Sequence, residues 1–403
     1  MCPFWPESTF HVTLVIHRAI RYAGTKPVLL LVNPFGGTKR GVKNYEQYVR
    51  PMLHLSETPF ELRKTTHQQH ATQIAQEIDI DAYSAIVTIS GDGVFHEVVH
   101  GLLSRRDWEQ ASKLPIGLIG SGTANALGKN LMCGSIELAT LAVIKLRTRP
   151  MDAFSITQND TVTYSHLQLM WTLLADVDFE SEAYRWLGAE RMTVAAVIRL
   201  IRMRTYHGKL YLLPSDKAHG AGPSRSSSPT PKGNSPSSPA TYGPQRIYTA
   251  DPKAHLSWPT IIDSSFNYFV ATNLPWISDD FIVTPHARIA DGDIHVVWSE
   301  KMSFRDALRP LLDQGTGAYI AQPSVKAERV KALVLEPQGW TWDKERKAGS
   351  KMHEGEFMDV SGERVPYVTT KMEIHPGVLN VLCPDWLDES AWTRAYEKAT
   401  RGS

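Results

Sequence analysis

The sequence predicts an α/β protein in two parts: an N-terminal doubly wound parallel sheet and a C-terminal antiparallel β-rich domain, with a cleft between them. Three observations carry this reading. From Pro27 to Thr148, short continuous apolar runs alternate with amphipathic ones, as buried parallel strands joined by helices do. Glycine-containing turns follow three of those runs. From Met151 onward the pattern changes to β-type runs separated by turn residues, which suits antiparallel pairing. At 403 residues the chain exceeds one ordinary core, so two domains are expected.

The elements follow in order. "PVLLLVN" reads as a strand ending at Asn33, and "KNYEQYVRPML" as a helix until Pro51 intervenes. "FELRKT" is a strand and "HATQIAQEI" a helix; "AIVTIS" is a strand and "VFHEVVHGLLS" a helix. "LPIGLIG" is a strand, "ANALGKNL" starts a helix, and "IELATLAVIKL" is one more. These place the parallel domain at 27–148, after an N-terminal extension, 1–26. In the second domain, 149–382, the expected strands are "AFSITQ", "VTYSHLQLMWTLLADVDF", "GKLYLL", "NYFVATN", "GDIHVVW", "VKALVLE" and "KMEIHPGVLNVL". Two helices, "RMTVAAVIRLIRMR" and "FRDALRPLLD", interrupt them, and 383–403 is a tail. The first of these helices packs in the core or walls a ligand tunnel.

The insertion 216–245 is rich in Ser, Pro and Gly. It lacks the apolar surface to offset ordering entropy, so disorder is expected. Its four Ser/Thr-Pro steps, at Ser228, Thr230, Ser235 and Ser238, mark either a neutral loop or a phosphoregulated one.

Hydrophobic residues make up 42% and charged residues 21%, with a formal net charge of +1. A nucleic-acid partner is not expected from that balance. The three cysteines form no metal-binding array, so a reducing, cytoplasmic setting is expected. Glu7, His11, His17 and Arg18 interrupt the N-terminal apolar residues, so no signal peptide is expected. No apolar run is long enough to span a bilayer, and Cys2 stands where myristoylation needs glycine. Membrane contact is therefore expected to be peripheral.

The three turns are "NPFGG" (Asn33, Pro34, Phe35, Gly36, Gly37), "SGDG" (Ser90, Gly91, Asp92, Gly93) and "GSGTANA" (Gly120 to Ala126). Ligands of open parallel sheets bind beyond the carboxyl ends of the strands. Glycines there let main-chain N–H groups approach phosphate oxygens. A phosphate-binding active-site cleft is therefore expected, although a single such loop is an ordinary turn. There is no GxxxxGK[ST], no third glycine of GxGxxG, and no protein-kinase HRD or DFG set.

The ordered set NPxGG, SGDGxxHEVVxGL and G-[ST]-x-N resembles the diacylglycerol-kinase catalytic superfamily. "ADVDFESEAYRWLGAERM", "RTYHGKLYLLP", "DGDIHVVW" and "EGEFM" resemble the sphingosine kinases within it. The similarity runs from about Pro27 to Leu382. It implies a two-domain lipid kinase using ATP, with magnesium on the phosphates and a lipid tunnel in the second domain. The substrate implied is a sphingoid base phosphorylated at its primary hydroxyl. The alternatives are a ceramide or diacylglycerol kinase of the same fold, or a non-catalytic lipid- or nucleotide-binding module. A homodimer is a further candidate assembly.

Phosphoryl transfer needs a base beside the acceptor hydroxyl, and the resemblance implies Asp92; otherwise it caps the helix that follows. Glu97 lies one turn on, reaching magnesium through water or the nucleotide, or else is a solvated helix residue. No metal is expected to be ligated by the protein directly. The resemblance places Asn33, Pro34, Phe35, Gly36, Gly37, Thr65, Thr66, Ser90, Gly91, Gly93, Gly122, Thr123 and Ala124 on the nucleotide, and Ser90 also at the lipid head. Ala124 stands where sphingosine kinases often carry glycine.

An extended backbone through "LLADVDFES" would put Asp176, Asp178 and Glu180 on one face. They form an exposed acidic cluster or meet a cation; the resemblance picks Asp178 for the substrate ammonium. Arg185 and Arg191 are implied at the ATP phosphates, or are ordinary surface arginines. Gly355 and Glu356 match the family's DGE motif, which opens here with Glu354.

Overall fold

The computed structural model describes residues 22–36, 39–122, 125–216, 242–300, 302–342 and 356–401. Residues 1–21, 217–241 and 343–355 lie outside them, and with them Cys2, the four Ser/Thr-Pro steps, Glu354 and Gly355; so do Gly37, Thr123 and Ala124.

The first region is a parallel sheet of β1 (Val28–Val32), β2 (Phe60–Lys64), β3 (Ala85–Ser90) and β4 (Ile116–Gly120), in the order β2-β1-β3-β4. Every residue of β1 and β3 is buried, as expected of strands covered by helices on both faces. Helices α2 (His70–Glu77), α3 (Asp92–Leu103), α4 (Trp108–Ala111), α5 (Ala126–Asn130) and α6 (Ile136–Lys145) complete it, after a longer helix α1. Because strand order reverses between β1 and β3, the crevice at their carboxyl ends is the switch point where open α/β sheets bind ligands.

Helix α1 corrects one expectation. Pro51 does not end it. The helix runs from Gly41–Asn44 through a π segment, Tyr45–Val49, into Arg50–Leu55. The wider π turn accommodates a proline that lacks an N–H and crowds the preceding turn.

The second region is antiparallel. It contains β5 (Thr148–Gln158), β6 (Thr161–Ser165), β7 (Gln168–Thr172), β8 (Arg204–Pro214), β9 (Thr260–Phe266), β10 (Tyr268–Thr272), β11 (Ile294–Ser299), β12 (Lys326–Trp342), β13 (Met358–Val360), β14 (Glu363–Val365) and β15 (Thr370–Leu382). An aromatic cluster of Trp171, Tyr206, Phe266 and Phe269 fills one side. Helices α7 (Leu173–Ser181), α8 (Arg191–Ile201) and α9 (Phe304–Leu312) pack on the other, against Met170, Val270 and Val297. Ser303 and Asp306 close a capping box at the start of α9. The terminal helix α10 (Ala391–Arg401) sets Trp392 edge-on against Trp276, 5.3 Å between ring centroids.

Strand β15 joins the two regions. Its first part pairs antiparallel with β12, and Val381 pairs parallel with Ile116 of β4. The register shifts between His375 and Leu379, where Gly377 adopts φ +57°, a conformation that favours glycine. Buried Asp152 accepts the N–H groups of Gly377 and Gly292, each at 2.6 Å.

Candidate active site

The ends of the parallel strands come together as the glycine turns require. Asn33 N–H donates to Ile89 O, Thr65 N–H to Val32 O at 3.0 Å, and Ser121 N–H to Ser90 O at 2.8 Å. Asn44 Nδ2 donates to Ser121 Oγ at 3.1 Å. Asn33, Pro34, Phe35, Gly36, Thr65, Thr66, Ser90, Gly91 and Gly122 thus belong to one edge of the sheet. Asn33 Oδ1 accepts Phe35 N–H at 2.8 Å, fixing the first turn. The Phe35 ring is 68% exposed. No atom lies within 4 Å of a Cβ built on Gly93, so the space beside Asp92 is open there.

Asp92 opens helix α3 but caps another helix. Its Oδ2 accepts Ala126 N–H at 2.7 Å and its Oδ1 accepts Leu127 N–H at 3.1 Å, both from the first turn of α5. This is capping, though not of the helix that follows Asp92 in sequence. Burial pushes the Asp92 carboxyl up to about 7; the two N–H groups oppose that shift and the charge of Asp279 adds to it. A carboxyl that takes and releases a proton near neutrality is suited to general-base work.

Glu97 is committed to the loop after Thr66. It accepts Ala71 N–H at 3.0 Å, at the start of α2. Burial raises its pKa, against the pull of the main-chain N–H groups of Gln69, Ala71 and Thr72. Thr66 N–H donates to His70 Nδ1 at 3.0 Å, so Glu97 and His70 together shape the loop that follows β2.

The acidic motif of the second domain departs from expectation. "LLADVDFES" is helix α7, not a strand. Thr172 turns the chain out of β7 with φ +65° and ψ −137°. Asp176 and Glu180, one turn apart, share a face, whereas Asp178 lies roughly 200° around the axis. Arg204 Nη1 meets Asp176 Oδ1 at 3.0 Å and Glu180 Oε1 at 2.8 Å, and Arg199 Nε meets Glu180 Oε2 at 2.6 Å. Tyr206 OH donates to Asp176 Oδ1 at 2.6 Å. Asp176 and Glu180 are thus spent on the fold, and Asp178 is left to look elsewhere. Its carboxyl meets that of Asp359 on β13.

Arg191 pairs with Glu182 at 2.5 Å and its charge reaches Asp178. The Arg185 side chain lies outside the described ones. Glu356 is half-buried, and its charge reaches Tyr367, whose hydroxyl accepts Trp171 Nε1–H at 3.2 Å.

Residues 27–156 match the family described as "Diacylglycerol kinase catalytic domain", and residues 262–383 match "YegS C-terminal NAD kinase beta sandwich-like domain". Sphingosine kinase 1 of Arabidopsis thaliana is 33% identical over 341 residues, covering 83% of this chain and 68% of that protein. This chain belongs to the sphingosine kinase family. Sphingosine kinase 1 of Homo sapiens is 30% identical over 329 residues, covering 77% of this chain and 82% of that protein. A crystal structure of a putative diacylglycerol kinase from Bacillus anthracis str. Sterne superposes with a TM-score of 0.58 at 14% identity, covering 90% of this chain and 99% of that one. That likeness concerns the fold alone.

In this sphingosine kinase family member, three acids escaped the sequence reading. Asp279 Oδ1 accepts Asn125 N–H at 2.9 Å, across from the second domain. Glu363 on β14 feels the charge of Glu97, and burial with that charge lifts it to about 7. Asp359 feels Glu363 as well as Asp178. The β13–β14 hairpin therefore carries a line of carboxyls from Asp178 towards α3. Asp359 was the legible one, since a charge between Met358 and Val360 in an apolar run is costly unless it has a use.

Proposed function

We propose that this chain transfers the terminal phosphoryl group of ATP to the primary hydroxyl of a sphingoid base, giving the 1-phosphate. The observation that carries the reading is the buried carboxyl of Asp92, held by α5 beside the carboxyl ends of β1, β3 and β4. Asp92 takes the proton of the attacking hydroxyl. The turns at Asn33 to Gly37, Ser90 to Gly93 and Gly122 to Ala124 receive the phosphates, and Thr65 and Thr66 close the nucleotide site. Arg191 and Glu356 approach the nucleotide from the second domain, and the resemblance assigns Arg185 and Gly355 to the same nucleotide. Asp178 takes the substrate ammonium, which ceramide and diacylglycerol do not offer.

Magnesium arrives on the nucleotide in this reading and neutralises phosphate charge. Glu97 then acts by setting the loop from Thr66 to Ala71.

The alkyl tail lies in the apolar layer under α7, α8 and α9. The exposure of Trp186, Val197, Ile201 and Leu312 supports peripheral docking on a membrane, from which such a substrate is drawn. No described helix is long and apolar enough to cross one. The test is to incubate purified protein with labelled ATP and, in parallel, sphingosine, ceramide and diacylglycerol. Label on sphingosine is expected; label only on the other two overturns the substrate assignment.

A further inference from the structure

Asp359 is fully buried, and no Lys, Arg or His pairs with it among the described residues. Its Oδ1 accepts Gly362 N–H at 2.7 Å. Its Oδ2 is buried with no N–H or hydroxyl donor, and its carboxyl meets that of Asp178. Asp359 stands opposite Met170 in the β13–β7 pairing. Opposed residues of antiparallel strands share a face, so Asp359 lies on the side of Gln168, Met170 and Thr172. Gln168 Oε1 and Thr172 Oγ1 are likewise buried without partners. The same side carries the apolar layer of Met170, Val177, Ala195, Leu200 and Val270.

Unpartnered buried oxygens are costly, and two carboxyls in contact cannot both ionise without a cation. Here they border an apolar layer. The complementary ligand is an alkyl chain whose head is rich in donors, an ammonium with a hydroxyl beside it. We propose that Asp359 is a second specificity-determining carboxyl, which together with Asp178 holds the ammonium of the sphingoid base. This rests on the role given to Asp178 above and adds a residue to it.

A chemical consequence follows. Without substrate the pair retains one proton, favoured by the negative charges of Glu182 and Glu363 and opposed by the positive charge of Arg191. An arriving ammonium stabilises both carboxylates, so the shared O–H breaks and its proton passes to solvent. Binding therefore releases about one proton near neutral pH.

The experiment uses the full chain and a water-soluble eight-carbon sphingoid base. Calorimetric binding in two buffers of different ionisation enthalpy counts the protons released. Wild type is expected to release about one, and Asp359→Asn none. The KM of Asp359→Asn for sphingosine is expected to rise roughly 10-fold or more, with a smaller change in kcat. Asparagine keeps the oxygen that Gly362 needs, and the melting temperature checks that the variant folds. An unchanged KM in the folded variant overturns the proposal, as does binding to wild type without proton release. If the variant does not fold, the wild-type proton count decides alone. Failure of the underlying reading looks different: Asp178→Asn would then bind and phosphorylate the base as wild type does.

Discussion

Asp279 accepts both the main-chain N–H of Asn125, at 2.9 Å, and its side-chain amide, at 3.4 Å. Five residues along, Asn130 exchanges hydrogen bonds with the main chain of Trp276, at 2.8 and 3.0 Å. The second domain therefore holds both ends of α5, the short helix whose first turn receives the Asp92 carboxylate. Lys129 lies 4.6 Å over the Trp276 ring, which adds a cation–π contact to the same brace.

The first prediction concerns Asp279→Asn. It preserves shape at Asn125 but removes a negative charge that helps raise Asp92. The Asp92 carboxyl then ionises at lower pH. If its ionised form is the base, the acid limb of the kcat/KM profile moves to lower pH. A pH–rate series on both proteins checks this, and an unmoved limb counts against the coupling.

Asp92→Asn is expected to lower kcat by roughly 10²- to 10⁴-fold, the usual range for removing a general base. It also makes a stability prediction. Asp92 titrates at about 7 when folded, above its ordinary 3.8. The folded protein binds the extra proton between those values, so this residue costs progressively more stability as pH rises through that window. Asparagine escapes the cost. Thermal melts should show Asp92→Asn gaining on wild type from pH 4 towards pH 8, by an amount on the order of a few kcal/mol at most. Loss of activity with no such pH-dependent gain would mean that the carboxyl is not held as described.

The parallel half was legible because its signals are local. Fully apolar runs such as "VLLLV" and "AIVTIS" admit few readings when a glycine turn follows each. The Asp92 region was legible for the same reason, although α5 as its partner was not, since Ala126 lies 34 residues away. "LLADVDFES" misled because its apolar and acidic residues alternate as a half-buried strand does. What makes it a helix is tertiary: Arg204, on a later strand, binds Asp176 and Glu180 only if they sit one turn apart. Pro51 misled because a π turn has no signature in a single sequence. Asp279 had no local signal, being 154 residues from Asn125.

Asp178→Asn tests substrate choice. The kcat/KM for sphingosine is expected to fall by about 10²-fold or more, since a buried cation loses its partner. The melting temperature should stay close to that of wild type, because the proton-sharing contact with Asp359 passes to an amide donor. Unchanged sphingosine activity would mean that Asp178 does not hold the substrate ammonium.

Asp176, two residues earlier, is expected to behave in the opposite way. It is 1% exposed; burial lifts it to about 7, and Arg204 and Tyr206 hold it back from rising further. Asp176→Ala takes one carboxylate away from the Arg204 guanidinium, which also meets Glu180 and the face of Trp340, 4.8 Å away. Breaking a buried pair from one side typically costs about 3–5 kcal/mol. Urea unfolding should register that loss, together with the loss of the Tyr206 hydrogen bond to Asp176. The KM for sphingosine, measured on whatever fraction stays folded, should move far less than in Asp178→Asn. A stable Asp176→Ala protein with a selective defect for the amine substrate would mean that Asp176, and not Asp178, faces the ligand.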